Sequence, residues 1–145
     1  MRLALTAVAF ATVLAGAGTA QTFTAESQLK VVRLNGSDFE VIEARGEGPR
    51  GMWCAAADYA VSQGRTGPGQ RIYVKTPRGP SVSVAGRKGV VFTTDESRLS
   101  QPPSRSLSVG TRTVGEGLPV VHAFQFCRDY QIELGDILFL RKGNL

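Results

Sequence analysis

Two cysteines and a single histidine are the side chains of this 145-residue sequence best suited to covalent chemistry. Cys54 stands in Gly51-Met52-Trp53-Cys54-Ala55-Ala56-Ala57-Asp58-Tyr59-Ala60, near the start of an alanine-rich run that reads as a helix. A thiol so placed feels the positive end of the helix dipole, which lowers its pKa and favours the thiolate. With His122 on a later strand as the base, the pair has the parts of a nucleophilic hydrolase. The competing reading is structural. Cys127 closes the run VVHAFQFC, and a helix lying on a sheet brings such positions within the roughly 4.4–6.8 Å Cα separation of a disulfide. Closing so long a loop adds about 4 kcal/mol on a chain-entropy argument. Metal chemistry is disfavoured, because there is one histidine and no CxxC or HxxxH spacing.

The order of Cys54 and His122, with the late stretch Leu134-Gly135-Asp136-Ile137-Leu138-Phe139-Leu140, resembles fragments of papain-like and NlpC/P60-like cysteine hydrolases. In the NlpC/P60 family the Gly-Asp strand falls between the cysteine and the histidine, whereas Gly135-Asp136 follows His122 here. The papain-type Cys-Gly-Ser-Cys-Trp signature is absent, and no residue stands out to orient the imidazole. The staple is therefore the expectation for Cys54 and Cys127, and the cysteine hydrolase-like enzyme using Cys54 and His122 is the alternative. His122 falls on the face of Val120, Phe124 and Phe126 if VVHAFQF is a strand, which predicts a hydrogen-bonded core or boundary residue.

The elements that must carry these residues follow an address signal. Residues 1–20 have Arg2, an apolar run from Leu3 to Leu14, and small residues at Gly18 and Ala20. That pattern is a secretory signal peptide cleaved near Ala20, and its apolar run is too short to span a bilayer. A soluble periplasmic or secreted chain is predicted, in a compartment where paired cysteines oxidise. Residues 21–145 suffice for one domain.

In QLKVVRLNGSDFEVIEAR, Asn35-Gly36 is the preferred pair for a type I′ hairpin turn. Pairing Leu34 with Ser37 then sets Arg33 opposite Asp38, and puts Val32, Leu34, Phe39 and Val41 on the core face. After RGEGPRG, a helix is expected from Met52 to about Gln63, ended by Gly64. RIYVKT reads as a strand, and SVSVAGRKGVVFTT as two strands around Gly86-Arg87-Lys88-Gly89. The segment near 95–106 carries Pro102-Pro103 and no periodicity, so a mobile loop is expected. SLSVGTRTV, VVHAFQFC and DILFLRK again read as strands. One early helix among short strands predicts an α+β fold, a twisted antiparallel sheet with one short helix packed on a face and a single disulfide.

The stretches FEVIEARGEGPRGMWCAAADYA, YVKTPRGPSVSVAGRKGVVFT and FCRDY are together similar to those of small exported proteins of alphaproteobacteria. The similarity covers nearly all of the mature chain. That group brings no established activity, cofactor or site residues, and supports only the compartment and the pairing of the cysteines.

Charge is the remaining clue. The net formal charge is +5, or +4 once Arg2 is removed. Its distribution is uneven: from Tyr59 to Thr94 there is no acidic residue, while Arg65, Arg71, Lys75, Arg78, Arg87 and Lys88 are basic. If their strands are neighbours, Arg71, Lys75, Arg78, Arg87 and Lys88 form a candidate anion-binding surface. The partner would be an anionic envelope polymer, lipid headgroups or another exported protein. Nucleic acid is not expected, since no recognition motif is present and Tyr73 alone interleaves with the basic residues. No cofactor, metal or transmembrane segment of the mature chain is expected.

Overall fold

The computed structural model describes residues 21–104 and 106–131. The signal-peptide reading of 1–20 and the strand expected at DILFLRK both lie outside them. The expected α+β class is borne out: six strands form one antiparallel sheet, helices pack against it, and Cys54 and Cys127 are joined. The strands are β1 (Thr22–Thr24), β2 (Lys30–Asn35), β3 (Asp38–Ile42), β4 (Arg71–Pro80), β5 (Lys88–Thr93) and β6 (Gly117–Pro119). Their spatial order is β1-β2-β3-β5-β4-β6, so β3 and β5 form the centre.

Helix α1 (Gly48–Ser62) connects β3 to β4 and begins four residues before the predicted start. Pro49 explains the difference, because the first helical positions need no N–H and the ring presets φ. Past its last turn, Gly64 takes φ 77°, and the N–H groups of Gln63 and Arg65 both donate to Ala60 O. Gly51 through Ala57 are all buried. On one side lies the sheet, where Trp53 meets Phe92 edge-on at 5.0 Å and Tyr59 meets Phe39 at 4.7 Å. On the other lies α2 (Val120–Gln125), followed after a turn at Phe126 by a helical stretch that opens with Cys127. The alanines keep both contacts close, and each large side chain fully buried here contributes about 1.5–3 kcal/mol.

The first hairpin forms one residue away from the expected register. Val31 lies opposite Val41, Val32 opposite Glu40 and Arg33 opposite Phe39, with a shift between Arg33 and Asn35. Gly36 and Ser37 make the turn, Gly36 at φ 46°, while Asn35 stays in the strand opposite Asp38. Leu34 is consequently only half-buried, and Asp38 bonds Lys75 and Arg98 in place of the expected Arg33. The physical reason is that both faces of β3 are covered, so alternation of apolar and polar residues does not choose the register by itself.

Three expected strands are corrected. SVSV does not pair as a strand; β4 runs on to Pro80, and residues 81–87 form the loop into β5. SLSVGTRTV is irregular, because the hydroxyls of Ser104, Ser106 and Ser108 each accept the N–H two residues on and compete with ladder bonds. VVHAFQFC opens with the helix α2. Its buried residues are Val120, Ala123, Phe126 and Cys127, a helical spacing, and His122 is exposed rather than in the core. Residues 96–98 make a 3₁₀ turn within the segment expected to be a loop.

Candidate functional site

The cysteines answer the first chemical question. Cys54 on α1 and Cys127 after α2 are bonded to each other with Cα atoms 4.9 Å apart, and both are 0% exposed. The disulfide therefore joins helix to helix, not helix to strand as predicted. A nucleophilic role for Cys54 requires reduction of a fully buried bond. His122 packs its ring 5.8 Å from that of Phe126 at the surface. No group of three or more metal-ligating side chains occurs among the described residues, and no helix among them is long and apolar enough to cross a membrane.

The sheet brings some of the five candidate basic residues together and separates others. Gly79 pairs with Gly89 and Pro80 with Lys88, so Arg78, Arg87 and Lys88 cluster at one end of the β4–β5 hairpin. They surround one carboxylate. Arg78 donates from Nε and Nη2 to both oxygens of Glu43 at 2.7 Å, and Arg87 donates to the Glu43 carbonyl at 2.9 Å. The Arg78 fork holds the Glu43 carboxyl below the usual range and raises Arg78 in turn. Arg112 lines a cavity of about 360 Å³ beside this pair, between the start of α1 and Gly110. Within it, Glu116 Oε2 has no hydrogen-bond partner.

Lys75 and Arg71 lie elsewhere. Lys75 is bonded to Asp38, which also takes a two-pronged contact from Arg98 at 2.8–3.0 Å. Asp38 is 2% exposed. Burial raises its pKa, but the hydrogen bonds from Arg98, Lys75 and Thr93 outweigh this and hold it below the ordinary value. Arg71 stands opposite Pro119 at the far end of β4, where it donates to Gly117 O at 2.8 Å and stacks over Tyr73. Seven residues of strand separate it from Arg78, about 20 Å and beyond two Debye lengths at physiological salt.

A second buried carboxylate went unread in the sequence. Glu40 on β3 is 1% exposed and pairs with no cation among the described residues. Instead the loop after β4 folds over it: the N–H groups of Val82 and Ser83 donate at 2.9 and 3.0 Å, Ser81 Oγ donates at 3.0 Å, and Ser83 Oγ donates as well. Two backbone donors and two hydroxyls thus do what a lysine would otherwise do. This explains the failed strand, since the Val82 and Ser83 N–H groups point at Glu40 and that of Val84 at Ser81 Oγ, leaving only the Ser81 N–H on a backbone acceptor, Arg87 O. Val82 is left 63% exposed.

Comparison with protein-family models, with curated proteins and with solved structures found no match.

Proposed function

We propose that the chain is a small exported, non-catalytic domain that binds an anionic envelope polymer through its basic surface. The observation that carries this reading is the adjacency of β4 and β5, which places Arg78, Arg87 and Lys88 around the Glu43 carboxylate. With Arg112 these cations outnumber the nearby carboxylates of Glu43, Glu116 and Glu40, and Arg87 and Lys88 are exposed. Their fields add within a Debye length of about 8 Å. A binding role is favoured over the hydrolase because the sulfur that would attack is bonded and buried. Export is supported by the joined cysteines and by the signal-like composition of residues 1–20.

The test is retention on heparin across a salt series. The parent protein is expected to bind at low salt and to elute steeply as salt rises. Arg87→Gln with Lys88→Gln should elute clearly earlier while changing stability by less than about 0.5 kcal/mol. A parent that fails to bind, or a double variant that elutes with it, overturns the proposal.

A further inference from the structure

The register of the first hairpin has a further effect at the opposite end of β3. Arg33, expected to face Asp38, instead lies opposite Phe39 on the helix side of the sheet. There its charge acts on the Tyr59 phenol of α1. Arg65, just past the end of α1, reaches the same place. Together with Ser37, Tyr59 and Gln63 they line a pocket of about 210 Å³.

Several cations of the sheet and its loops are held by acceptors, which these two arginines are not. Arg71, Lys75, Arg78, Arg87 and Arg98 are all engaged by carboxylates or carbonyls. Among the described residues, neither the Arg33 nor the Arg65 guanidinium makes an ion pair or hydrogen bond, and the Tyr59 hydroxyl has no hydrogen-bond partner among them either. No acidic residue lines the pocket. The negative end of α1 is also nearby, but the carbonyls of Tyr59, Ala60 and Val61 already accept from Ser62, Gln63, Gly64 and Arg65. Two guanidinium groups, a phenol and an amide therefore line one pocket that holds several donors and no carboxylate.

We infer that this pocket is a binding site for a doubly charged oxyanion of the phosphate or sulfate class. Each guanidinium offers a planar fork that matches two such oxygens, and two forks together balance a charge of minus two. Tyr59 is held in place by its ring contacts with Phe23 and Phe39, so its hydroxyl needs no reordering to donate. A monocarboxylate has one charge and two oxygens, and leaves one fork unmet. The site is separate from the Arg78, Arg87 and Lys88 cluster and does not depend on the polymer-binding reading.

The experiment is a titration of the purified protein with inorganic phosphate, followed by amide NMR shifts at constant ionic strength set with chloride. Saturable shifts at Gly36, Ser37 and the Gln63 side chain are expected. Sulfate should compete, glycerol phosphate should bind if the pocket accepts a phosphoryl group on a larger molecule, and acetate should bind at least tenfold more weakly. Arg33→Gln and Arg65→Gln should each weaken phosphate binding about tenfold, the loss of one charge-assisted contact, with the amide spectrum otherwise retained. Arg87→Gln with Lys88→Gln should leave phosphate binding unchanged while weakening heparin retention. The inference fails if phosphate gives no saturable shift in the parent, if the single arginine variants bind as the parent does, or if only the Arg87/Lys88 variant loses binding.

Discussion

Glu40 and Gly89 should be coupled so strongly that the sign of one substitution depends on the other. A Cβ at Gly89 would lie 2.5 Å from Glu40 Oε1 and 3.0 Å from its Cγ and Cδ. Glu40 cannot move away without breaking its four donor contacts, so Gly89→Ala is expected to cost about 2–3 kcal/mol, as overpacking of a fixed core does. Glu40→Ala removes the carboxylate, leaving the Val82 N–H without an acceptor and the Ser83 N–H with only its longer contact to Ser81 Oγ at 3.3 Å. Hydrogen bonds to a charged group are each worth about 1.5–3 kcal/mol, but the loop can open and let water replace part of that, so a loss of about 3–4 kcal/mol is expected. In the Glu40→Ala background the obstruction is gone. The φ of Gly89 is not in the left-handed region, so alanine there should be neutral or stabilising by up to about 1 kcal/mol, from reduced freedom of the unfolded chain. The cycle thus predicts a coupling of at least about 2 kcal/mol, read from urea midpoints of the four proteins at a common slope. Additive costs would falsify the argument that Gly89 is glycine because Glu40 occupies its side-chain space.

Two further predictions concern the ties already described. Cys54→Ser and Cys127→Ser should each lower stability by about 2–5 kcal/mol, with the double variant no worse than either single; costs that add in urea unfolding would contradict the pairing. Asp38 has a depressed folded pKa, so its stabilisation is present above its unfolded value near 4 and is lost as pH falls through the folded value. Asp38→Asn should therefore cost about 2–3 kcal/mol at pH 7, below the figure for a fully buried pair because Lys75 and Arg98 still reach water. That deficit should shrink as unfolding is followed from pH 5 down to pH 2, and a constant deficit would refute the assignment.

The parts of the fold that were legible are those fixed by local chemistry. Gly64 ended α1, and the two cysteines of a 145-residue chain found each other. What misled was the assumption that one sheet face is wet. With Val32, Ile42 and Val91 buried on the face away from α1, polar residues on β3 report partners and not solvent, as the buried Asp38 and Glu40 do. VVHAFQFC was mistaken for a strand because six residues fit both periods; Val120, Ala123 and Cys127 fit the helix, and Pro119 before them is its start signal. The pocket beside Arg33 was hidden for a related reason, since Arg33 was assigned to Asp38 by a register one residue from the real one.

Three carboxylates at or just beyond β3, those of Asp38, Glu40 and Glu43, all reach the β4–β5 hairpin or the loops at its ends, meeting Lys75 and Arg98, residues 81–83, and Arg78. The two hairpins are joined only through α1, so their docking is a non-local event in which many alignments of β3 against β5 bury similar apolar area. In a docking displaced by one residue each carboxylate would be desolvated without its own donors, a loss of several kcal/mol apiece. The charged seam thus acts as a key with three teeth. It makes misaligned assemblies of this sheet short-lived, leaving one alignment to persist until Cys127, made last of all these residues, can close the covalent loop.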